Sequence, residues 1–134
     1  MISNPYLWSV VIAFLVSIFI KALFASLHDH KLELHKGFSN GGMPSVHTAL
    51  ISSITSALLF FRGFDELFML ALVVSLIIAS DAVKVRFNLG LQGEKLNTLL
   101  SEKEKIRVVK GHKLSQVLVG ALVGVLSSLF VFLV

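Results

Sequence analysis

The chain has no cysteine, which excludes a disulfide framework and any thiolate metal site. It also lacks internal repeats and low-complexity linkers, so residues 1–134 are expected to form one domain. Charge is sparse, with Asp, Glu, Lys and Arg together making up 15% of the residues. Against that stand a hydrophobic content of 55% and a mean hydropathy of +0.86, far too apolar for a soluble domain of this size. A small polytopic membrane protein is the expected class. The charge that is present leans basic, with a formal net of +4 and a pI near 9.6. Those basic residues lie in short segments beside apolar runs and lack interleaved aromatics. That pattern argues against nucleic acid as a partner and for membrane flanks and phosphate ligands.

Four apolar segments, over residues 6–27, 44–61, 66–83 and 114–134, approach the ~20 residues that a helix needs to cross a bilayer. The predicted fold is therefore all-α: a bundle of about four transmembrane helices with a cytoplasmic amphipathic helical segment, the latter placed from Glu94 to Lys110. No basic residue precedes the first segment, so a retained helix with Tyr6 and Trp8 at the interface is preferred to a cleaved signal peptide. Lys31 and Lys36 follow the first span. Lys84, Arg86, Lys95, Lys103, Lys105, Arg107, Lys110 and Lys113 lie between the third and fourth, and Arg62 alone marks the loop between the second and third. The positive-inside rule then places both termini outside and both basic segments in the cytoplasm. Small residues at helical spacing, Ser45, Ala49, Ser52 and Ser56 on one span and Gly120, Gly124 and Ser127 or Ser128 on another, are read as packing surfaces.

The run Gly41-Gly42-Met43-Pro44-Ser45-Val46-His47-Thr48-Ala49 sets a glycine pair, a proline, a hydroxyl and an imidazole at the mouth of an apolar helix. Glycines let backbone N–H groups approach an anion, proline suits a first helical turn, and a helix N-terminus adds unpaired donors and a positive dipole end. His47 lies about one turn in, where it can pass a proton to a leaving oxygen. A second constellation runs from Asp81 through Lys84 and Arg86 to Gly90, Gln92 and Asn97. A carboxylate at the end of an apolar helix calls for a cation or donor, and the guanidinium of Arg86 matches phosphate oxygens in a bidentate fork; membrane anchoring is the plain alternative for Lys84 and Arg86. A third, from Arg107 to Gln116, puts His112 beside cations where a helix begins, a candidate phosphate nucleophile or a merely solvated imidazole. His28, Asp29, His30 and His35 invite a metal reading, but the spacing supplies no strong ligand set, and a titrating polar loop is preferred.

Residues 41–49, the run from Asp81 to Asn97 and the segment from Gly111 to Gly120 together resemble the divergent family of the type 2 phosphatidic acid phosphatase superfamily, which is related to vanadium haloperoxidases. The superfamily pattern begins with a lysine followed seven residues later by arginine and proline. Lys21 fills the first place, and the following positions fall on His28 and Asp29. Pro44, Ser45 and His47 meet a Pro-Ser-Gly-His run with Val46 in place of glycine. In the third motif His112 matches the nucleophile, Gln116 stands at the aspartate position, and Arg107 is one place out of register, so that Arg86 is the candidate substitute.

The resemblance implies a metal-independent and cofactor-free phosphatase acting on a lipid phosphate monoester or a prenyl mono- or diphosphate. His112 would form a phosphohistidine and His47 would protonate the leaving oxygen. Lys21, Gly41, Gly42, Ser45 and Arg86 would hold the phosphoryl oxygens. Asp81 would supply, from another helix, the carboxylate that Gln116 lacks. The implied partners are the phosphorylated lipid or prenyl phosphate and the bilayer itself, with a homo-oligomer left open. The active-site face is expected on the cytoplasmic side of an integral membrane protein. Gln116 and the missing arginine-proline pair keep open a second reading, a catalytically silent protein that binds an anionic headgroup or a protein partner. A transporter subunit is disfavoured by the lack of paired repeats and broken helices.

Overall fold

The computed structural model describes residues 4–29, 42–108 and 111–134, and every regular element in them is helical. The order is α1 (Pro5–Asp29), α2 (Val46–Arg62), α3 (Glu66–Ser80), a π-helical turn (Asp81–Val85), α4 (Arg86–Asn97) and α5 (Leu114–Leu133). Three stretches, Pro5–Leu27, Glu66–Asn97 and Leu114–Leu133, are long and apolar enough to cross a membrane, and α2 is a shorter apolar helix. Leu, Ile, Val and Phe side chains cover their outer surfaces, as at Leu15, Phe19, Leu70, Leu76 and Leu118, each more than half exposed. A helix apolar all round is a membrane span, because lipid replaces the water that a soluble helix would meet.

The core is made of small residues. α2 sits centrally and packs against α1, α3 and α5. A Cβ added to Gly120 would stand 2.4 Å from the Ser45 carbonyl oxygen, and one on Gly124 would stand 2.4 Å from that of Ala49. Only glycine lets the α5 backbone come this close to α2, which maximises van der Waals contact where no hydrophobic effect drives association. The Ser128 hydroxyl seals the interface by donating to the Ser53 carbonyl. The buried residues of α2 and its cap include Ser45, Ala49, Ser53 and Ala57, and Ser52 of the expected stripe also meets α5, its Cβ 2.8 Å from where a Cβ on Gly124 would stand, while Ser56 is part-buried. Thr55 and Ser75 hydroxyls, 2.8 Å apart, join α2 to α3.

The helices alternate in direction. Tyr6 stacks edge-on against Phe61 and Phe61 against Phe132, with centroids 5.8 and 5.3 Å apart, so the starts of α1 and α3 and the ends of α2 and α5 share one end of the bundle. Asp65 caps α3 there by accepting from the Phe68 N–H at 2.8 Å, and pairs with Arg62. The opposite end gathers the start of α2, the π turn and the start of α5, tied by the Ser45 N–H to the Gln116 carbonyl at 3.0 Å and the His112 N–H to the Ala82 carbonyl at 3.1 Å.

Two boundaries differ from the sequence reading. The third span does not end near residue 83, because the π turn carries it without interruption into α4, and 32 residues at ~1.5 Å each make about 48 Å, well beyond a ~30 Å hydrocarbon core. Its basic end therefore projects past the bilayer. The amphipathic helix or helical hairpin expected from Glu94 to Lys110 is, among the described residues, a helix that ends at Asn97 followed by a loop. There the Asn97 side chain accepts from the Ile106 N–H at 2.9 Å and donates to its carbonyl at 2.8 Å, clasping residues 98–105 into a turn-rich loop. A short amide side chain that satisfies a distant backbone pair competes with helix continuation. Val108 then packs 3.1 Å from where a Cβ on Gly93 would be, laying the returning arm of the loop along α4.

Candidate active site

At the end opposite the aromatic cluster, a cavity of about 320 Å³ is lined by His47, Leu50 and Ile51 of α2, Ile78 of α3, Ala82 of the π turn, Arg86 of α4, and His112 just before α5. One wall carries the guanidinium of Arg86 and the two imidazoles, and the other is aliphatic, contributed by the apolar helices α2 and α3.

Local sequence explains the arrival of each group. Ser45 is the N-cap of α2 and is wholly buried; its hydroxyl oxygen accepts from the Thr48 hydroxyl at 3.0 Å. Gly42, at φ +80°, provides the left-handed turn that brings the chain into that cap, and Pro44 is buried behind a cis peptide bond. This start leaves the first N–H groups of α2 unpaired within the helix, and His47 follows in the first turn. Lys21 arrives from α1 because it continues the face of Ser9, Ala13 and Ser17, four residues apart, which is turned into the bundle. Its Cε lies 3.4 Å from the position a Cβ would take on Gly42.

His112 is half-buried and fixed at three points. Its N–H is held by the Ala82 carbonyl. Gly111 before it lies so close to the third span that a Cβ would meet Phe87 N at 2.4 Å and Arg86 C at 2.7 Å. Its ring Nδ1 is 3.1 Å from the Gln116 Oε1, which also accepts from the Lys113 N–H at 3.0 Å. Burial depresses the imidazole pKa below its ordinary 6.5; the Gln116 hydrogen bond opposes this, and the charges of Lys21, His47 and Arg86 push it further down.

Of the residues singled out by sequence, His47, Arg86 and His112 share the cavity, and Lys21 is near enough to act on His112 electrostatically. Asp81 is bonded to Arg86, Nε to Oδ2 at 3.0 Å, and Gln116 occupies Nδ1 of His112. Ser45 is not among the cavity-lining residues; it shapes the site through the helix start. Gly41, His30 and His35 lie outside the described residues. Among the described residues no three His, Asp or Glu side chains gather as metal ligands. The aliphatic wall of Leu50, Ile51 and Ile78 was missed by sequence reasoning, since periodicity marks these residues only as membrane-facing.

The pattern of a family described as the divergent PAP2 family matches residues 2–127, nearly the whole chain. The chain belongs to that family. An uncharacterized membrane protein, YuiD of Bacillus subtilis (strain 168), is 28% identical over 149 aligned residues that take in 96% of this chain and 94% of the relative. No solved structure matches. Membership makes this a phosphatase-related integral membrane protein, and the three segments that carry the superfamily's motif order meet at one end of its bundle.

Proposed function

We propose that the chain is a membrane phosphatase that hydrolyses a lipid phosphate monoester or a prenyl mono- or diphosphate through a phosphohistidine on His112, without a metal. The observation that carries this reading is the cavity shared by His47, Arg86 and His112, with a guanidinium and two imidazoles on one side and aliphatic side chains on the other. An amphiphile fits such a site, its phosphate against the cations and its chain toward Leu50, Ile51 and Ile78.

Tautomer geometry supports His112 as the nucleophile. A backbone N–H only donates, so the Gln116 atom facing Lys113 N–H is an oxygen, and the same oxygen faces His112 Nδ1. Nδ1 then carries the proton of the neutral ring, and Nε2 keeps its lone pair. Nε2 attacks phosphorus as the bond to the leaving oxygen breaks, and His47 in its protonated form gives that oxygen a proton. His47, now neutral, takes a proton from water as the water attacks phosphorus; the P–N bond breaks, and phosphate and free His112 result. Lys21, Arg86, the Gly42 backbone and the open N–H groups of α2, whose start Ser45 caps, neutralise the equatorial oxygens in place of a metal. The basic residues of the site end, Lys84, Lys95, Lys103, Lys105, Arg107 and Lys113, against Arg62 at the other, support a cytoplasmic site and external termini.

One observation favours the silent headgroup-binding alternative: the acceptor on His112 is a neutral amide, which orients the ring without stabilising its cation. Phosphate release from a panel of lipid and prenyl phosphates, with chelator present, separates the two. Wild type is expected to turn over and His47→Ala and His112→Ala to lose at least 100-fold, on the order of a removed general acid or nucleophile. Equal release by all three proteins overturns the phosphatase.

A further inference from the structure

Arg86 reaches the cavity from a stretch of backbone that is not an α-helix. Between Asp81 and Val85 the chain widens into a π turn, and the Arg86 N–H bonds to the Asp81 carbonyl five residues back. Two things follow from that single change. Residues five apart on an α-helix point about 140° away from each other, whereas the wider turn brings Asp81 and Arg86 together, Oδ2 to Nε at 3.0 Å. The Ala82 carbonyl, which in an α-helix would take the Arg86 N–H, takes the His112 N–H instead at 3.1 Å. One turn of backbone thus sets the guanidinium and anchors the imidazole on the same rim.

Building on the anion-site reading above, we infer that Asp81 is a positioning residue for Arg86 and works on phosphate recognition, not on the protonation of His112. A guanidinium gripped at Nε keeps both Nη groups for other acceptors, and fixing one edge of the fork costs the bound phosphate less ordering of a long side chain. The pair is accessible to this role: its side chains are 42% (Asp81) and 56% (Arg86) exposed. Asp81 also borders an apolar groove with Val73, Leu76, Ile77, Ser80 and Val85 on the lipid-facing side of α3. A carboxylate facing hydrocarbon needs its cation, so Arg86 and Asp81 hold each other at the boundary between bilayer and cavity. The Nδ1 of His112 is already occupied by Gln116, which leaves Asp81 no part in the tautomer.

The test is equilibrium binding of inorganic phosphate and orthovanadate to the purified full chain in detergent with chelator, together with steady-state kinetics on whichever lipid phosphate is hydrolysed. Asp81→Asn is expected to weaken anion binding about tenfold and Arg86→Ala about 100-fold. The double variant should bind no more weakly than Arg86→Ala, because Asp81 acts only through Arg86. Asp81→Glu, which can still reach Nε, should recover most of the loss and carries the comparison should the asparagine variant not fold. In kinetics Asp81→Asn should raise KM and leave the acid limb of kcat/KM where it is. The inference is overturned by additive losses in the double variant, by unchanged anion affinity in both Asp81 variants, by an acid limb that moves in Asp81→Asn, or by a wild type that binds neither anion. If the binding pattern holds while no lipid phosphate is hydrolysed, the phosphatase reading fails and the role of Asp81 stands.

Discussion

His112 and Gln116 stand four residues apart at the entry to α5, with Nδ1 and Oε1 at 3.1 Å. His112 precedes the helix and Gln116 reaches back to it from the first turn, where the Lys113 N–H on the same oxygen fixes which way the amide points. An uncharged acceptor so placed selects a tautomer without adding a negative charge. Removing it in Gln116→Ala should therefore lower kcat by at least tenfold while leaving phosphate affinity within about twofold, since it touches the ring and not the anion. Steady-state kinetics set beside direct phosphate binding checks this. A matching fall in affinity would mean that Gln116 merely holds the fold.

The pH dependence follows from the same ring. His112 attacks only as the neutral imidazole, and burial together with the cations around it keeps its pKa below 6.5. Its contribution to kcat/KM should be complete at neutral pH and be lost as pH falls through that lowered value, so the acid limb lies below 6.5. Phosphate monoesters titrate near pH ~6 themselves, and the informative comparison is between variants on one substrate. Gln116→Glu puts a carboxylate on Nδ1, favours the imidazolium, and should move the limb to higher pH. A limb that stays in place in Gln116→Glu would take His112 out of the nucleophile's role.

Much of this arrangement is legible in the sequence, and the exceptions share a cause. The Gly42–His47 entry to α2, the glycines of α5 and the one-sided placement of basic residues are local patterns, and each appears where its residues suggest. The Asp81–Arg86 pair is not legible, because a 3.6-residue period puts the two on different faces and only the π turn joins them. The end of α4 at Asn97 is hidden for a related reason: the partner that stops the helix is nine residues away. Ser45 reads equally well as a ligand or as a cap, and only its burial beneath the Thr48 hydroxyl tells which.

Two glycine substitutions should separate site geometry from general stability. Gly111→Ala places a methyl 2.4 Å from the Phe87 nitrogen, so the chain before His112 must move off the π turn. Activity per folded molecule is expected to fall at least tenfold. Gly63→Ala meets nothing within 4 Å but sits at φ +78° and ψ −157°, a region essentially reserved for glycine, and should cost about 1–3 kcal/mol of stability with activity unchanged. Thermal melts in detergent and turnover of the surviving protein read both. Similar turnover in the two variants would release His112 from its dependence on the Ala82 carbonyl.

The packing of α5 on α2 has its own test. Gly124→Val adds three carbons where even a Cβ would lie 2.4 Å from the Ala49 carbonyl oxygen. Backbone atoms cannot rotate away as a side chain can, so the helices must separate. The expected loss is about 1–3 kcal/mol, seen as a lower melting temperature. Leu122→Val, on a side chain 56% exposed to the bilayer, should change little. Equal tolerance of both would contradict the close approach of the two helices.

Orientation can be read directly because the chain has no cysteine of its own. Phe64, in the loop between α2 and α3, is 83% exposed, and Leu99, beyond α4, is 84% exposed, so Phe64→Cys and Leu99→Cys each give one reactive thiol on a tolerant surface. The bundle places these positions at opposite ends, since Phe64 stacks on Phe68 near the aromatic cluster while Leu99 follows the helix that carries Arg86. In sealed, right-side-out cells an impermeant maleimide should label Cys at position 64 and reach position 99 only after permeabilisation. The reverse pattern would keep the bundle and turn the site outward, giving it phosphorylated lipids of the other leaflet. Labelling of both positions from one side would contradict the odd number of crossings between them and with it the single membrane passage of the helix from Glu66 to Asn97.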